Sequence, residues 1–247
     1  MQNISQPLSL TGAKNIRELG GYLTEEGKIT KRHVFLRADA LNNLTGEDCE
    51  VLYHYGVRCV IDLRSQDEAV REPDKLPGSY KEVEYLHVPI QDHVRANRYS
   101  EEFPPSMWQL YRWLLEDSKE SICRIFRTML EYKNDCVIFH CSGGKDRTGT
   151  LAMLLLKLAG VEDKTIIGDY AATQEYMKDI FPRQIRDLTA RGLIVPRYVM
   201  ESPPENMERT LQYLYENYHT IEKYLKSTGL SDGELEMLRK KLIDEIE

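Results

Sequence analysis

His140-Cys141-Ser142-Gly143-Gly144-Lys145-Asp146-Arg147-Thr148-Gly149 follows the apolar run Val137-Ile138-Phe139 and precedes Leu151, Leu154, Leu155 and Leu158, which recur at helical spacing. The order predicts a strand, a tight loop and a helix. Such a loop wraps backbone N–H groups around an anion, and the positive end of the following helix dipole faces the same concavity. A cysteine at the strand end, facing those donors and a guanidinium, has its thiolate stabilised, so Cys141 is expected to titrate well below the roughly 8.5 of a free thiol. Arg147 offers two parallel N–H donors that match the equatorial oxygens of a phosphoryl group in flight. The stretch therefore reads as a phosphoryl-transfer site carrying its own nucleophile.

Three other readings of the loop are weaker. A cysteine at a strand end is often a small core hydrophobe, but that leaves the glycines and Arg147 unexplained. Gly144-Lys145 suggests a nucleotide-binding loop, which needs a Gly at 139 and a Ser or Thr at 146; Phe139 and Asp146 stand there. A sulfurtransferase loop also presents a cysteine to an anion, yet Arg147 and Thr148-Gly149 favour phosphate.

The pattern His-Cys-x-x-Gly-x-x-Arg-Thr-Gly resembles the signature of cysteine-dependent tyrosine phosphatases, and Gly144-Lys145-Asp146-Arg147-Thr148-Gly149 resembles the bacterial enzymes acting broadly on phosphotyrosine and phosphoinositides. Asn15-Ile16-Arg17-Glu18-Leu19-Gly20-Gly21-Tyr22 is similar to that family's early Asn-x-Arg-Asp-x-Gly-Gly segment, with Glu18 in place of the usual Asp. Val60-Ile61-Asp62-Leu63-Arg64-Ser65 resembles its strand ending in Asp-Leu-Arg. The resemblance implies one phosphatase domain over residues 1–247 with helical additions, and a cysteinyl-phosphate mechanism on phosphotyrosine, with phosphoinositides or phosphoserine and phosphothreonine as further substrates. It requires no metal or other cofactor. Ser142, Gly143, Gly144, Lys145 and Asp146 would supply backbone donors, Thr148 would turn its hydroxyl to the sulfur, and Arg64 would lie at the pocket rim. His140 is expected to orient the loop. Lys145 adds a charge suited to a multiply phosphorylated head group. Asp146 leads as general acid, with Asp92 and Asp62 competing, although Asp62 reads better as a loop-orienting hydrogen-bond acceptor. The alternative is a phosphate-recognition module without turnover.

Bulk properties agree. The 247 residues are 41% hydrophobic, enough for a substantial core, and the net charge of -7 argues against general nucleic-acid binding. No secretory signal or membrane-length apolar segment is apparent, so a soluble, cytoplasmic chain with no integral membrane segment is expected. Cys49, Cys59, Cys123, Cys136 and Cys141 form no Cys-x-x-Cys pair and read as reduced thiols, with a reversible disulfide from Cys141 to Cys59 or Cys136 conceivable.

The expected fold is α/β, a short central sheet flanked by helices. Strands are expected at Tyr22-Leu23, Val34 to Arg37, Val57 to Leu63, Val83 to Val88 and Cys136 to Phe139, with a turn at Glu25-Glu26-Gly27. Helices are expected from Thr45, through Ile122, Ile125, Phe126 and Met129, after the loop, from Asp163 to Lys178, and behind capping boxes at Ser202 and Ser231. Residues 92–113 read equally as a mobile cover or as a packed helix carrying Met107, Leu110, Tyr111 and Leu114.

Overall fold

The computed structural model describes residues 4–90, 104–190 and 192–243. A five-stranded sheet is built from β1 (Arg17–Glu18), β2 (Phe35–Ala38), β3 (Val57–Asp62), β4 (Glu84–His87) and β5 (Cys136–His140), in the order β1-β2-β5-β3-β4. Strands β2, β5, β3 and β4 run parallel and β1 is antiparallel at one edge. β5 is the central strand and every residue in it is buried, which is why its sequence is a continuous rather than alternating apolar run. Ligands of such sheets gather beyond the carboxyl ends of the strands. The loop after His140 emerges at that place.

Helices cover the sheet. In chain order they are α1 (Gly46–His54), α2 (Gln66–Arg71), the single turn α3 (Leu76–Ser79), α4 (Met107–Asp117), α5 (Lys119–Glu131), α6 (Arg147–Leu158), α7 (Asp163–Tyr176) and α8 (Phe181–Ala190). A 3-10 turn at Arg197–Met200 leads to α9 (Pro204–Tyr218), α10 (Ile221–Ser227) and α11 (Asp232–Leu242). Helix α6 is buried almost throughout, packed against α7, α10 and the sheet. Two large hydrophobic clusters result, with Phe139, Ile61 and the α6 leucines in one and Ile138, Val60 and Leu36 in the other, and a small third gathers Met177, Phe181 and Met200. Among the described residues no helix is long and apolar enough to cross a membrane.

Local chemistry accounts for most boundaries. Thr45 and Asp48 close a capping box on α1, and Ser231 and Glu234 do the same on α11. Gly160, at φ 82°, supplies the left-handed residue that ends α6.

Two expectations are corrected. Tyr22-Leu23 forms no strand; Leu23 and Thr24 make only isolated bridges, to Ile29 and Val161, while Tyr22 sinks into the core to reach Asp169. The Ser202 capping box is not made. Pro203 is the N-cap of α9, and Ser202 turns away, its N–H donating to Gln174 Oε1 at 2.9 Å. The Ser202 N–H that a box would hand to Glu205 is spent on Gln174, and the helix starts one residue later than a box at Ser202 requires, with Pro204 at its first position. Within 92–113 the helical alternative holds for α4, whose Met107, Leu110, Tyr111, Leu114 and Leu115 are buried. Residues 92–103, Asp92 included, lie outside the described residues.

Candidate active site

The loop from Cys141 to Asp146 is tied down from behind by buried polar side chains. Asn15 Nδ2 donates to the carbonyls of Gly143 and Gly144, at 3.1 and 3.3 Å, and Arg37 Nη2 donates to the Gly144 carbonyl at 2.7 Å. Gly144 has φ +65°, and a Cβ there would lie 2.6 Å from the Ala38 carbonyl and 2.8 Å from Asn15 Nδ2. Only glycine fits so close to the anchor strand. Behind these sits Asp169, fully inside the protein, accepting from Arg17 Nε at 2.9 Å, from Tyr22 Oη at 2.9 Å and from Arg37 Nη1. Burial opposes its charge, but Arg17 and Arg37 hold its carboxyl below the usual range. Arg17 also donates to Asn15, so the Asn15-x-Arg17 segment is a brace for the loop.

Cys141 is buried at the mouth of α6, 3% exposed. Burial alone would raise its pKa, and it does so for Cys49, Cys136 and Cys59, the last pushed up to about 12. For Cys141 the Arg147 guanidinium, then the Thr148 hydroxyl and N–H, outweigh burial and bring the thiol down. Thr148 Oγ1 meets no partner at hydrogen-bond geometry in the described structure, so its proton is free to turn toward the sulfur.

Arg147 is clasped by Glu68, a residue that sequence reasoning missed. Its Nη1 and Nη2 lie 2.9 and 3.3 Å from the two carboxylate oxygens, and Ser142 Oγ donates to Glu68 Oε1 at 2.6 Å. Glu68 also closes the capping box of α2 by accepting from the Ser65 N–H at 3.0 Å. The Ser65-x-x-Glu68 spacing directly after Asp62-Leu63-Arg64 was the available signal.

His140 is locked in place. Its Nε2 lies 2.8 Å from Asp74 Oδ2, and its Nδ1 lies 3.2 Å from the Cys141 carbonyl. Burial works against the imidazolium, but Asp74 and Asp62 raise its pKa on balance. It orients the loop, as expected. Asp62, Asp74 and His140 bring ligand-type atoms within 4.8 Å of one another. The cation in their midst is the Arg64 guanidinium, which donates to Asp62 and to Asp74 Oδ1 at 2.9 Å.

Two expected site residues, Arg64 and Lys145, are placed differently, and Asp62 is a buried acceptor, the reading preferred for it over the acid. Arg64 is not at a pocket rim; it is 1% exposed and spends its donors on Asp62, Asp74 and the Glu72 carbonyl. Asp62 accepts from Arg64 and from Tyr85 Oη, and although burial opposes it, Arg64 and His140 hold its carboxyl at about 2. A group so acidic carries no proton to donate near neutral pH. Lys145 is also buried, its Nζ donating to the Val199 and Glu201 carbonyls and standing 3.5 Å from Asp146 Oδ1. Its three donors are committed to the protein, so it does not project as a free charge.

The conceivable disulfides are excluded by register. Cys59 pairs with Val137 and Cys136 begins β5. At about 3.3 Å per residue both stand on the order of 13 Å or more from Cys141, beyond the roughly 7 Å Cα separation a disulfide spans.

A buried, acid-shifted cysteine, an arginine held by a carboxylate and a braced glycine loop thus stand together at the carboxyl end of a parallel sheet. The tyrosine phosphatase family model matches residues 8–244, and a tyrosine-protein phosphatase of Nostoc commune is 30% identical over 84% of this chain and 74% of its own. The crystal structure of P. aeruginosa TpbA aligns with a TM-score of 0.46 at 10% identity, over 92% of this chain and 97% of that one. The chain belongs to the tyrosine phosphatase family.

Proposed function

We propose that the protein hydrolyses phosphotyrosine by two displacements at phosphorus, with Cys141 as nucleophile, Arg147 as phosphoryl clamp and Asp146 as general acid. The observation that carries the reading is the Cys141 thiol, buried yet acid-shifted by Arg147 and Thr148. The thiolate attacks phosphorus, the bond to the ester oxygen breaks, and the departing oxygen takes the Asp146 proton. Water then attacks the cysteinyl-phosphate, gives a proton to the Asp146 carboxylate, and the P–S bond breaks to release phosphate and restore the thiolate. Backbone N–H groups of residues 142–146 bind the oxygens of the transferring group.

Asp146 is favoured over its rivals because Asp62 is held ionised while Asp146 sits in the loop with its side chain 25% exposed. The same reading takes the chain as one domain, supported by the packing of α9 to α11 on α4 to α7. Aryl phosphate esters are the favoured substrate class. Phosphoinositides and phosphoserine or phosphothreonine extend the reading through the family resemblance, with Lys145 no longer an argument for them.

The test is phosphate release from an aryl phosphate in excess EDTA. Activity abolished by Cys141→Ser supports the reading, whereas phosphate binding without turnover makes the chain a recognition module. Asp146→Asn should slow a poor leaving group by roughly 10²-fold or more and leave a highly activated aryl phosphate almost unchanged. Equal slowing of both removes Asp146 from the acid's role.

A further inference from the structure

The Asp146 carboxyl is held by a directed chain of hydrogen bonds that comes from three helices outside the loop. Tyr111 Oη, on α4, lies 2.6 Å from Asp146 Oδ1 and 2.7 Å from Tyr170 Oη on α7, and Asn206 Nδ2 on α9 lies 3.3 Å from Tyr170 Oη. Each hydroxyl has one proton to give. The Tyr111 proton goes to the carboxylate, the Tyr170 proton then goes to Tyr111, and the amide donates to Tyr170. The Tyr111 and Tyr170 rings meet edge to face, 5.8 Å apart, so the chain is fixed by packing as well as by hydrogen bonds. Tyr111 is completely buried, and burial, Asp146 and Tyr170 push its phenol well above the usual value. It stays a donor throughout the working pH range.

We propose that Tyr111 is a positioning residue for the general acid: by occupying Asp146 Oδ1 it fixes the carboxyl plane and makes Oδ2 the oxygen that delivers the proton to the leaving group. Lys145 Nζ approaches the same oxygen, at 3.5 Å, so both contacts fall on Oδ1. A carboxyl that can spin delivers its proton from the right place only part of the time. The inference rests on the reading of Asp146 given above. It also gives α9 a part in the chemistry, since Asn206 begins the chain that ends at the acid.

The experiment compares kcat for phenyl phosphate and for a dinitrophenyl phosphate in the intact chain and in Tyr111→Phe, which keeps the buried ring and removes the hydroxyl. Phenyl phosphate should slow on the order of tenfold, the activated ester should stay within about twofold, and combining the change with Asp146→Asn should add nothing further. Tyr170→Phe removes the donor behind Tyr111 and should produce a smaller effect of the same kind, which keeps the inference open to test if Tyr111→Phe does not fold. Equal slowing of both esters, or effects of Tyr111→Phe and Asp146→Asn that multiply, overturns it. If Asp146→Asn is leaving-group dependent and both tyrosine variants are flat, this inference alone is wrong. If Asp146→Asn is itself flat, the assignment of the acid fails and the inference fails with it.

Discussion

Glu68 and Arg147 meet fork to fork, with 2.9 and 3.3 Å between the two guanidinium nitrogens and the two carboxylate oxygens. The pair joins α2 to the start of α6 beside Ser142 of the loop. Arg147 is therefore held in one orientation by an acid on a neighbouring helix. Glu68→Ala should lower kcat/KM roughly 10- to 100-fold, since hydrogen bonds to charged groups contribute about 1.5–3 kcal/mol. A thermal melt separates this from loss of the α2 cap. Activity that rises in Glu68→Ala would mean that the carboxylate competes with phosphate for the fork instead of aiming it.

The acid-shifted thiol gives a pH prediction. A cysteine whose pKa is depressed carries more thiolate at a given pH than a free one, so the alkylation of Cys141 by iodoacetate should have its midpoint below the free-thiol value and be blocked by phosphate or vanadate. Arg147→Ala removes the charge that does most to offset burial, and the alkylation midpoint should move up. A midpoint already near the free-thiol value in the unaltered protein would sink the idea.

The loop from His140 to Gly149 was legible because its chemistry is local: strand, glycines, arginine and helix start lie within ten consecutive residues. The four parallel strands were legible for a similar reason, β3 and β5 as apolar runs and β2 and β4 as short stretches flanked by Val34, Val83 and Val88. What sequence could not give was which buried polar groups meet. Asn15, Arg17, Arg37 and Asp169 are spread over more than 150 residues and converge only when the sheet closes. Arg64 looked like a pocket arginine because strand ends often are; its true partners, Asp62 and Asp74, flank a helix whose placement is a tertiary fact. Tyr111 read as a core residue by spacing, which it is, and its hydroxyl found Asp146 from inside the core.

The brace behind the loop makes a stability prediction. Asp169 compensates two buried guanidinium groups at once, and Arg37 passes that constraint to the Gly144 carbonyl. Asp169→Asn leaves both arginines short of a counter-charge, and removing one partner of a buried ion pair typically costs about 3–5 kcal/mol. Urea denaturation should record a loss of that order. A loss below about 1 kcal/mol would place the variant among ordinary substitutions and dismiss Asp169 as the hub of the brace.

Lys145 carries the prediction on specificity. A free ammonium in the cradle would read extra phosphates on an inositol ring, and Lys145→Ala would then penalise such substrates more than a simple aryl phosphate. The structure instead commits Nζ to the carbonyls of Val199 and Glu201, in the 3-10 turn and just after it, and burial lowers its pKa despite the nearby Asp146. Phe181, at the head of α8, packs over the same region, 3.3 Å from where a Gly143 Cβ would stand. Losing the ammonium should thus loosen the segment that covers the loop, not delete a recognition charge. Lys145→Ala should reduce turnover of an aryl phosphate and of a soluble inositol phosphate by similar factors, and should speed proteolytic cleavage between α8 and α9. A selective loss on the inositol phosphate, with the protease pattern unchanged, would return Lys145 to the role of a charge reader.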